Sequence, residues 1–371
     1  MANNTLASAL ADDTGWTRPA PFNILAAVDG ALAAFLDAET ASLAALDPAL
    51  QLVAGTARQA VLAGGKRIRP TFAYWGWRGA VGQGPAVEPV LPALAALELL
   101  HAFALVHDDV MDASPVRRGM PTAHRALTAH HSALGLRGDP DTFGISAAIL
   151  VGDLCLVWAD KMIDLATPGQ LAVRAARRRY DQMRVEAIAG QFLDLLGESS
   201  PDWSVERALF TARLKTASYT VTRPLQYGAA LADGAVEGPL IQLYADYGRA
   251  VGEAFQLRDD LLGVYGDPAT TGKPMGEDLA RGKPTVLVEL ARTRVTNRQG
   301  GELEQLLRCG TPQDVPRFAA LLRDTGAPTQ VDQMIKDRVA YATSMLDDAP
   351  IDPATRQALT DLAAAAAWRQ S

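Results

Sequence analysis

The fold is decided by LLHAFALVHDDVMD, residues 99–112. It closes an apolar run that begins near Val90 and is rich in leucine and alanine, both strong helix formers. The spacing is helical and shows little of the β-branched alternation of a strand, which predicts a helix from Val90 to Met111. Asp108, Asp109 and Asp112 crowd its end. On a helix, positions 108 and 112 lie about 40° apart, one turn up. Carboxylates at that spacing converge on one point, where like charges repel unless a cation sits between them. Mg²⁺ suits such a point, because it takes carboxylate oxygens and leaves its other positions to water and substrate phosphate. Taken alone, the DDxxD pattern also fits a solvated helix end.

Working outward changes that balance. The next segment, ASPVRRGMPT (113–122), carries Arg117 and Arg118 after a loop containing Pro115. Guanidinium groups bind phosphate in two-pronged fashion, so metal-binding acids and phosphate-binding bases stand together. A second acidic cluster lies in AFQLRDDLLGVYGDPATTGKPMGED (254–278). Asp259 and Asp260 fall near the end of a helix predicted over Leu240–Leu262, with Gln256 one turn before Asp260. The helix dipole disfavours carboxylates at a C-terminus, so metal binding explains them better than surface decoration does. A Gly-rich loop with Lys273 follows, and then Lys283 in RGKPT (281–285). Two such acidic ends, facing one another, are expected to hold several Mg²⁺ ions around one diphosphate.

AGGKRIRPTF (63–72) is a third cluster, with Lys66, Arg67 and Arg69 behind Gly64 and Gly65. The GxxxxGK[ST] spacing of a P-loop is absent. Either a basic helix start or a second phosphate site fits it.

The rest of the chain sets bounds. Of its 371 residues, 49% are hydrophobic and only 6% aromatic, a balance that leans towards an all-helical core. The net charge of −7 and the lack of a basic stripe exclude a nucleic-acid partner. The run Arg174, Arg177, Arg178 and Arg179 reads as a solvated helix face. Cys155 and Cys309 have no CxxC spacing, so neither a disulfide framework nor a zinc site is expected. The first residues lack the basic start of a secretory signal, and no uncharged apolar run reaches the roughly 20 residues of a membrane span. A cytoplasmic protein is the expectation. Residues 1–20 read as a flexible arm, and 21–371 as a single all-α domain of ten or more helices, one of them over Val205–Tyr227.

In order, GGKRIRP, HDDVMD with RRGMPT, LKTASYTVTRPL (214–225), and FQLRDDLLGVYGD with GKPMGEDLARGKPT resemble the isoprenyl diphosphate synthases. The likeness covers roughly residues 60–290 and is closest to the short-chain group that makes farnesyl and geranylgeranyl diphosphates. It implies an orthogonal all-α bundle around a deep central cavity, usually a homodimer. It implies substrates, isopentenyl diphosphate and allylic prenyl diphosphates, and a cofactor, three Mg²⁺ ions per active site. By the resemblance, Lys66 and Arg69, with His101 and Arg118, serve the isopentenyl diphosphate site. Asp108, Asp112 and Asp259 are the principal magnesium ligands. Arg117, Lys215 and Lys283 hold the allylic diphosphate, joined by Lys273, and Thr216 and Gln256 turn oxygens to the developing carbocation. Gln191 and Asp194, in AGQFLD (189–194), match a motif of the cavity wall.

Two departures stand out. Gly263 replaces a third aspartate found in many relatives, and Arg369, in AAAAAWRQS (363–371), stands where some carry a basic cluster. His107 beside the aspartates reads as a packing residue rather than a base.

Product length is expected to depend on the turn before Asp108. Ala104 lies about 40° from Asp108 and faces the growing tail, whereas Phe103 lies about 140° away. The resemblance nevertheless makes an aromatic at the Phe103 position a limiter of length, and a helix irregularity would reconcile the two. A single aromatic there suits a twenty-carbon product. The rival readings are a terpene cyclase, which needs no Lys66/Arg69 site and carries an NSE-type second motif absent here, a non-catalytic synthase subunit, which would have lost acidic residues, and a purely structural helical protein.

Overall fold

The computed structural model describes residues 23–200, 202–234, 237–266, 281–309 and 311–368. The arm 1–20, Lys273 and Arg369 lie outside the described residues. The chain divides into two compact units. One comprises the residues up to Tyr74 together with Pro85–Val173; the other comprises Trp75–Gly84 and Arg174 onward. Both are built from helices, as the composition predicts.

The first unit holds α1 (Ile24–Leu46), α2 (Gln51–Leu62), the start of α3 (Ile68–Val81), α4 (Leu91–Met111), α5 (Ala123–Ala133) and α6 (Pro140–Ile163). Side chains that bond free backbone N–H groups start several of them. Asn23 accepts from Ala26 N, and Asp139 accepts from Thr142 N at 2.8 Å. Helix α4 is buried all the way round from Ala93 to Leu100, so it is the core helix, and α1, α2, α5 and α6 pack on it.

By length and composition, α4 and α6 are also long and apolar enough to cross a membrane. Neither is an uncharged run, because Glu98 interrupts α4 and Asp153 and Asp160 interrupt α6. Of the apolar window of α4, 56% is buried inside the molecule, against 39% for α6.

After α4 the chain forms a hairpin, β1 (Val116–Arg117) paired antiparallel with β2 (Met120–Pro121). Arg118 and Gly119 make its turn, with φ of 52° and 73°. Positive φ at both turn residues matches the twist of a tight hairpin, and it leaves Arg117 on the strand beside the end of α4.

The second unit contains α7 (Gln170–Ser199, nearly all of it), α8 (Val205–Ala212), α9 (Arg223–Asp233) and α10 (Pro239–Tyr265). Then come α11 (Val286–Arg292), α12 (Asn297–Cys309), α13 (Val315–Asp324), α14 (Ala327–Ser344) and α15 (Pro353–Trp368). Helix α10 is the hub, touching α9, α11, α14 and α15. Its buried Glu253 is held by Arg213 and, at 2.6 Å, by Arg338. The hydroxyl of buried Tyr247 donates to Leu359 O at 2.5 Å.

The helix expected over Val205–Tyr227 departs from regularity. Between α8 and α9, Arg213–Thr222 is wound as a π-helix; the N–H of Arg223 returns to Ser218 O, five residues back. A π turn is wider than an α turn and needs room. Glycines supply it: a Cβ on Gly190 of α7 would stand 2.2 Å from Lys215 N, and one on Gly252 of α10 would stand 2.4 Å from Ala217 Cα. Both clashes are with backbone, which cannot swing aside. Gly252→Ala is expected to destabilise the protein by about 1–3 kcal/mol, the usual cost of overpacking. Urea unfolding of the variant checks this.

Candidate active site

The first acidic cluster ends α4. Asp109 is buried, and both its oxygens accept from Arg117 Nε, at 2.8 and 3.0 Å, while Arg117 Nη2 lies 2.6 Å from Oδ1. Asp108 is more accessible, with Oδ2 at 3.5 Å from the same Nη2. Burial disfavours the Arg117 charge, but the bonds and charge of Asp109, then Asp108 and Asp112, outweigh it and raise the pKa. Asp112 closes the helix, its N–H donating to Asp108 O at 2.8 Å. Asp109 therefore sets the position of Arg117, and Asp108 and Asp112 are left as the pair one turn apart.

The basic segment before α3 divides in the same way. Arg67, at φ 47° and almost fully buried, is a structural post. Its Nη1 donates to Glu98 Oε2 at 2.9 Å and to Val61 O at 3.1 Å, and its Nε donates to Asp29 at 2.8 Å. Lys66 and Arg69 flank this post and are only half-buried.

Gly64 and Gly65 adopt φ of 84° and 147°, and the Arg118 guanidinium lies against them, Nη1 donating to Gly64 O. His101 stands in the field of these bases. Burial first, then the charges of Arg69, Arg118, Arg117 and Arg67, push its imidazole well below the usual range. It is neutral at physiological pH.

The second unit gathers the remaining residues around a cavity of about 50 Å³, whose lining includes Asp194, Lys215, Thr216, Gln256, Asp260 and Lys283. Buried Asp194, on α7, takes Lys215 Nζ at 2.6 Å and Lys283 Nζ at 2.9 Å on one oxygen. Burial pushes its carboxyl up, but the two lysine charges and their hydrogen bonds prevail and hold it at about 2. One turn further along α7, Glu198 holds Arg281 at 2.6 Å, so the segment before Lys283 is tied to the same helix. Gln191 is half-buried on α7, one turn before Asp194.

In α10, Gln256 Nε2 donates to Asp260 at 2.8 Å, and Gln256 Oε1 accepts from Thr216 Oγ1 at 2.6 Å. Asp260 is buried and Asp259 half-buried. Both aspartate pairs thus share one design. The second member is turned inward to fix a neighbour, Arg117 or Gln256, and the first is the more accessible carboxylate.

Sequence reasoning missed several of these supports. Glu98 was signalled by being the one charge in the apolar run LAALELLHAF (94–103), and Gly190 by its place in AGQFLD. The salt bridge of Glu186 with Arg223 (2.5 Å), which ties α7 to the start of α9, had no such signal. Phe103 and Ala104 are half-buried on a helix that stays regular from Leu91 to Met111, so the irregularity invoked for Phe103 does not occur.

Among the described residues, no three His, Cys, Asp or Glu side chains converge as a ready-made metal cage. Mg²⁺ needs no such cage, since it binds through one or two carboxylates and completes its shell with water and phosphate. Asp108 and Asp112 offer such a hard-oxygen pair.

Comparison with known proteins agrees with this chemistry. A sequence model of the polyprenyl synthetase family matches residues 51–324. A geranylfarnesyl diphosphate synthase of Aeropyrum pernix is 32% identical over 84% of this chain and 92% of its own length. A geranylgeranyl diphosphate synthase of Mycobacterium tuberculosis is 34% identical over 78% of this chain and 77% of its own. The crystal structure of a geranylgeranyl pyrophosphate synthase from Corynebacterium glutamicum, complexed with isoprenyl diphosphate and magnesium, aligns with a TM-score of 0.88 at 41% identity. It covers 92% of this chain and 97% of that one. On the match to this family model and the likeness to these synthases, the chain belongs to the polyprenyl synthetase family and is a trans-prenyltransferase.

Proposed function

We propose that this enzyme condenses isopentenyl diphosphate with dimethylallyl, geranyl and farnesyl diphosphates to give geranylgeranyl diphosphate. The observation that carries the reading is the presence of two basic clusters, each built on its own buried acid. Lys66, Arg69, His101 and Arg118 surround the Arg67–Glu98 pair, and Lys215 and Lys283 share Asp194. Two phosphate-handling sites suit two diphosphate substrates, whereas a cyclase takes one.

Residues 21–371 act as one catalytic domain in this reading. Asp108, Asp112 and Asp259 hold Mg²⁺, three ions per site, which when bound supplies Lewis-acid stabilisation of the leaving diphosphate. Arg117, Lys215 and Lys283, joined by Lys273, take the diphosphate charge as it develops. Thr216 and Gln256, fixed by Asp260, present oxygen dipoles to the allylic cation. The proton lost after addition goes to the departing diphosphate in this reading.

Lys66→Ala and Arg69→Ala are expected to raise KM for isopentenyl diphosphate about 10-fold or more, as loss of a charge-assisted hydrogen bond implies, with less effect on the allylic KM. Steady-state kinetics with each substrate varied checks this; equal effects on both would show the sites misassigned.

A homodimer fits the exposed apolar side chains of α6 (Ile145, Ile149, Leu150, Val157) and of α7 (Val185, Ile188, Phe192, Leu196), because such faces mark association surfaces. The free thiols of Cys155 and Cys309 suit the reducing cytoplasm.

For chain length, α4 carries one aromatic, Phe103, beside the small Ala104. Phe103→Ala lengthens the product in this reading, which the family resemblance carries rather than ideal helix geometry, and Ala104→Phe shortens it. Chromatography of the dephosphorylated products tests the proposal. A twenty-carbon alcohol is expected, and an unchanged product from Ala104→Phe would place the floor elsewhere.

A further inference from the structure

We propose that His107 and Gly152 are positioning residues for Phe103 and, through it, help to set product length; this rests on reading Phe103 as the length-limiting side chain. Phe103 and His107 stand one turn apart on α4, and their rings meet edge to face, centroids 4.8 Å apart at 67°. The other side of the imidazole is seated on α6. His107 Nε2 lies 2.9 Å from Ile149 O, so this nitrogen carries the proton and donates it. Asp153 Oδ1 is 3.7 Å from the same nitrogen.

The seat exists because residue 152 has no side chain: a Cβ there would fall 2.2 Å from both Cδ2 and Nε2 of His107. The ring is thus gripped between the Gly152 backbone and the edge of Phe103. An aromatic side chain has two rotatable bonds, and it blocks a tunnel reproducibly only if its neighbours hold one rotamer. His107 is the neighbour that does so on the α4 side. A methyl at position 152 would drive the ring off its seat, which disturbs its contact with Phe103.

The test compares the wild-type enzyme with Phe103→Ala, His107→Ala, Gly152→Ala and the double variant Phe103→Ala/His107→Ala. Each is supplied with isopentenyl and dimethylallyl diphosphates, and product lengths are read after dephosphorylation. His107→Ala and Gly152→Ala are each expected to shift and broaden the distribution towards products longer by one or more isoprene units. The double variant is expected to match Phe103→Ala, because the effect runs through that ring. If Phe103→Ala lengthens the product while His107→Ala and Gly152→Ala change only rate or stability, the positioning role is wrong and the Phe103 reading stands. If the double variant lengthens beyond Phe103→Ala, His107 lines the tunnel directly and the proposal is overturned. If Phe103→Ala itself leaves the distribution unchanged, the Phe103 reading fails and the proposal with it. Thermal melts identify any variant that does not fold, and the remaining one of His107→Ala and Gly152→Ala then decides.

Discussion

Asp108→Ala and Asp259→Ala are each expected to lower turnover about 10³-fold, comparable to removing one group aimed at transition-state charge. Their stability should stay within about 1 kcal/mol of wild type, because both carboxylates are partly solvated and such ion pairs contribute little. The partners of each pair behave differently. Asp109 accepts three short contacts from Arg117 and is buried, and Asp260 is buried beneath Gln256. Asp109→Ala deprives a largely buried guanidinium of its main partner and is expected to cost about 3 kcal/mol of stability as well as activity. Turnover at saturating Mg²⁺, measured beside urea unfolding, separates the two classes. Near-normal turnover by Asp108→Ala or Asp259→Ala would remove the metal assignment.

Loss of Asp194 should be the second large effect. One buried oxygen of this residue serves Lys215 and Lys283 together. Asp194→Asn keeps the shape and removes the negative charge that the two ammonium groups share. The expected cost is about 3 kcal/mol at pH 7, at the lower end for a broken buried pair because the lysines are partly exposed. Turnover should fall with it, since both lysines lose their alignment.

The pH dependence has a definite sign. The folded carboxyl titrates at about 2, below its ordinary value of 3.8. Its stabilisation is therefore fully present above about pH 4 and is lost as pH falls towards 2, amounting to about 2 kcal/mol by linkage. The stability difference between wild type and Asp194→Asn should narrow over that interval. A difference that stays constant down to pH 2 would show that the charge is not what Asp194 contributes.

Much of this was legible in the sequence, for physical reasons that differ from residue to residue. The apolar run ending at Asp108 predicted α4 to within a residue of Leu91–Met111, because periodicity and helix-forming residues agree along it. The helix expected over Leu240–Leu262 is likewise observed as Pro239–Tyr265. The π-wound stretch that carries Lys215 and Thr216 was not legible. Its winding answers to Gly190 and Gly252 on other helices, and tertiary contact overrides local pattern there.

The two aspartate pairs show the same limit. Sequence names Asp108 with Asp109 and Asp259 with Asp260, but adjacent residues point about 100° apart on a helix. Which member turns inward depends on where a partner arrives. Arg117 reaches Asp109 only because the hairpin turns at Arg118 and Gly119. Arg67, one of three bases whose cluster fitted either a helix start or a phosphate site, is the buried partner of Glu98, a pairing set by contact between segments distant in sequence. The motif supplied the chemistry, and the fold assigned the members their separate tasks.

The central claim is that this enzyme joins two diphosphate substrates and releases pyrophosphate only when both are present. The direct measurement is pyrophosphate release in Mg²⁺ buffer with isopentenyl diphosphate alone, with dimethylallyl diphosphate alone, with geranylgeranyl diphosphate alone, and with isopentenyl and dimethylallyl diphosphates together. Rapid release from the pair, with only background from each single substrate, is the predicted result. Release from a single prenyl diphosphate at the rate seen with the pair would contradict it and point to a cyclase.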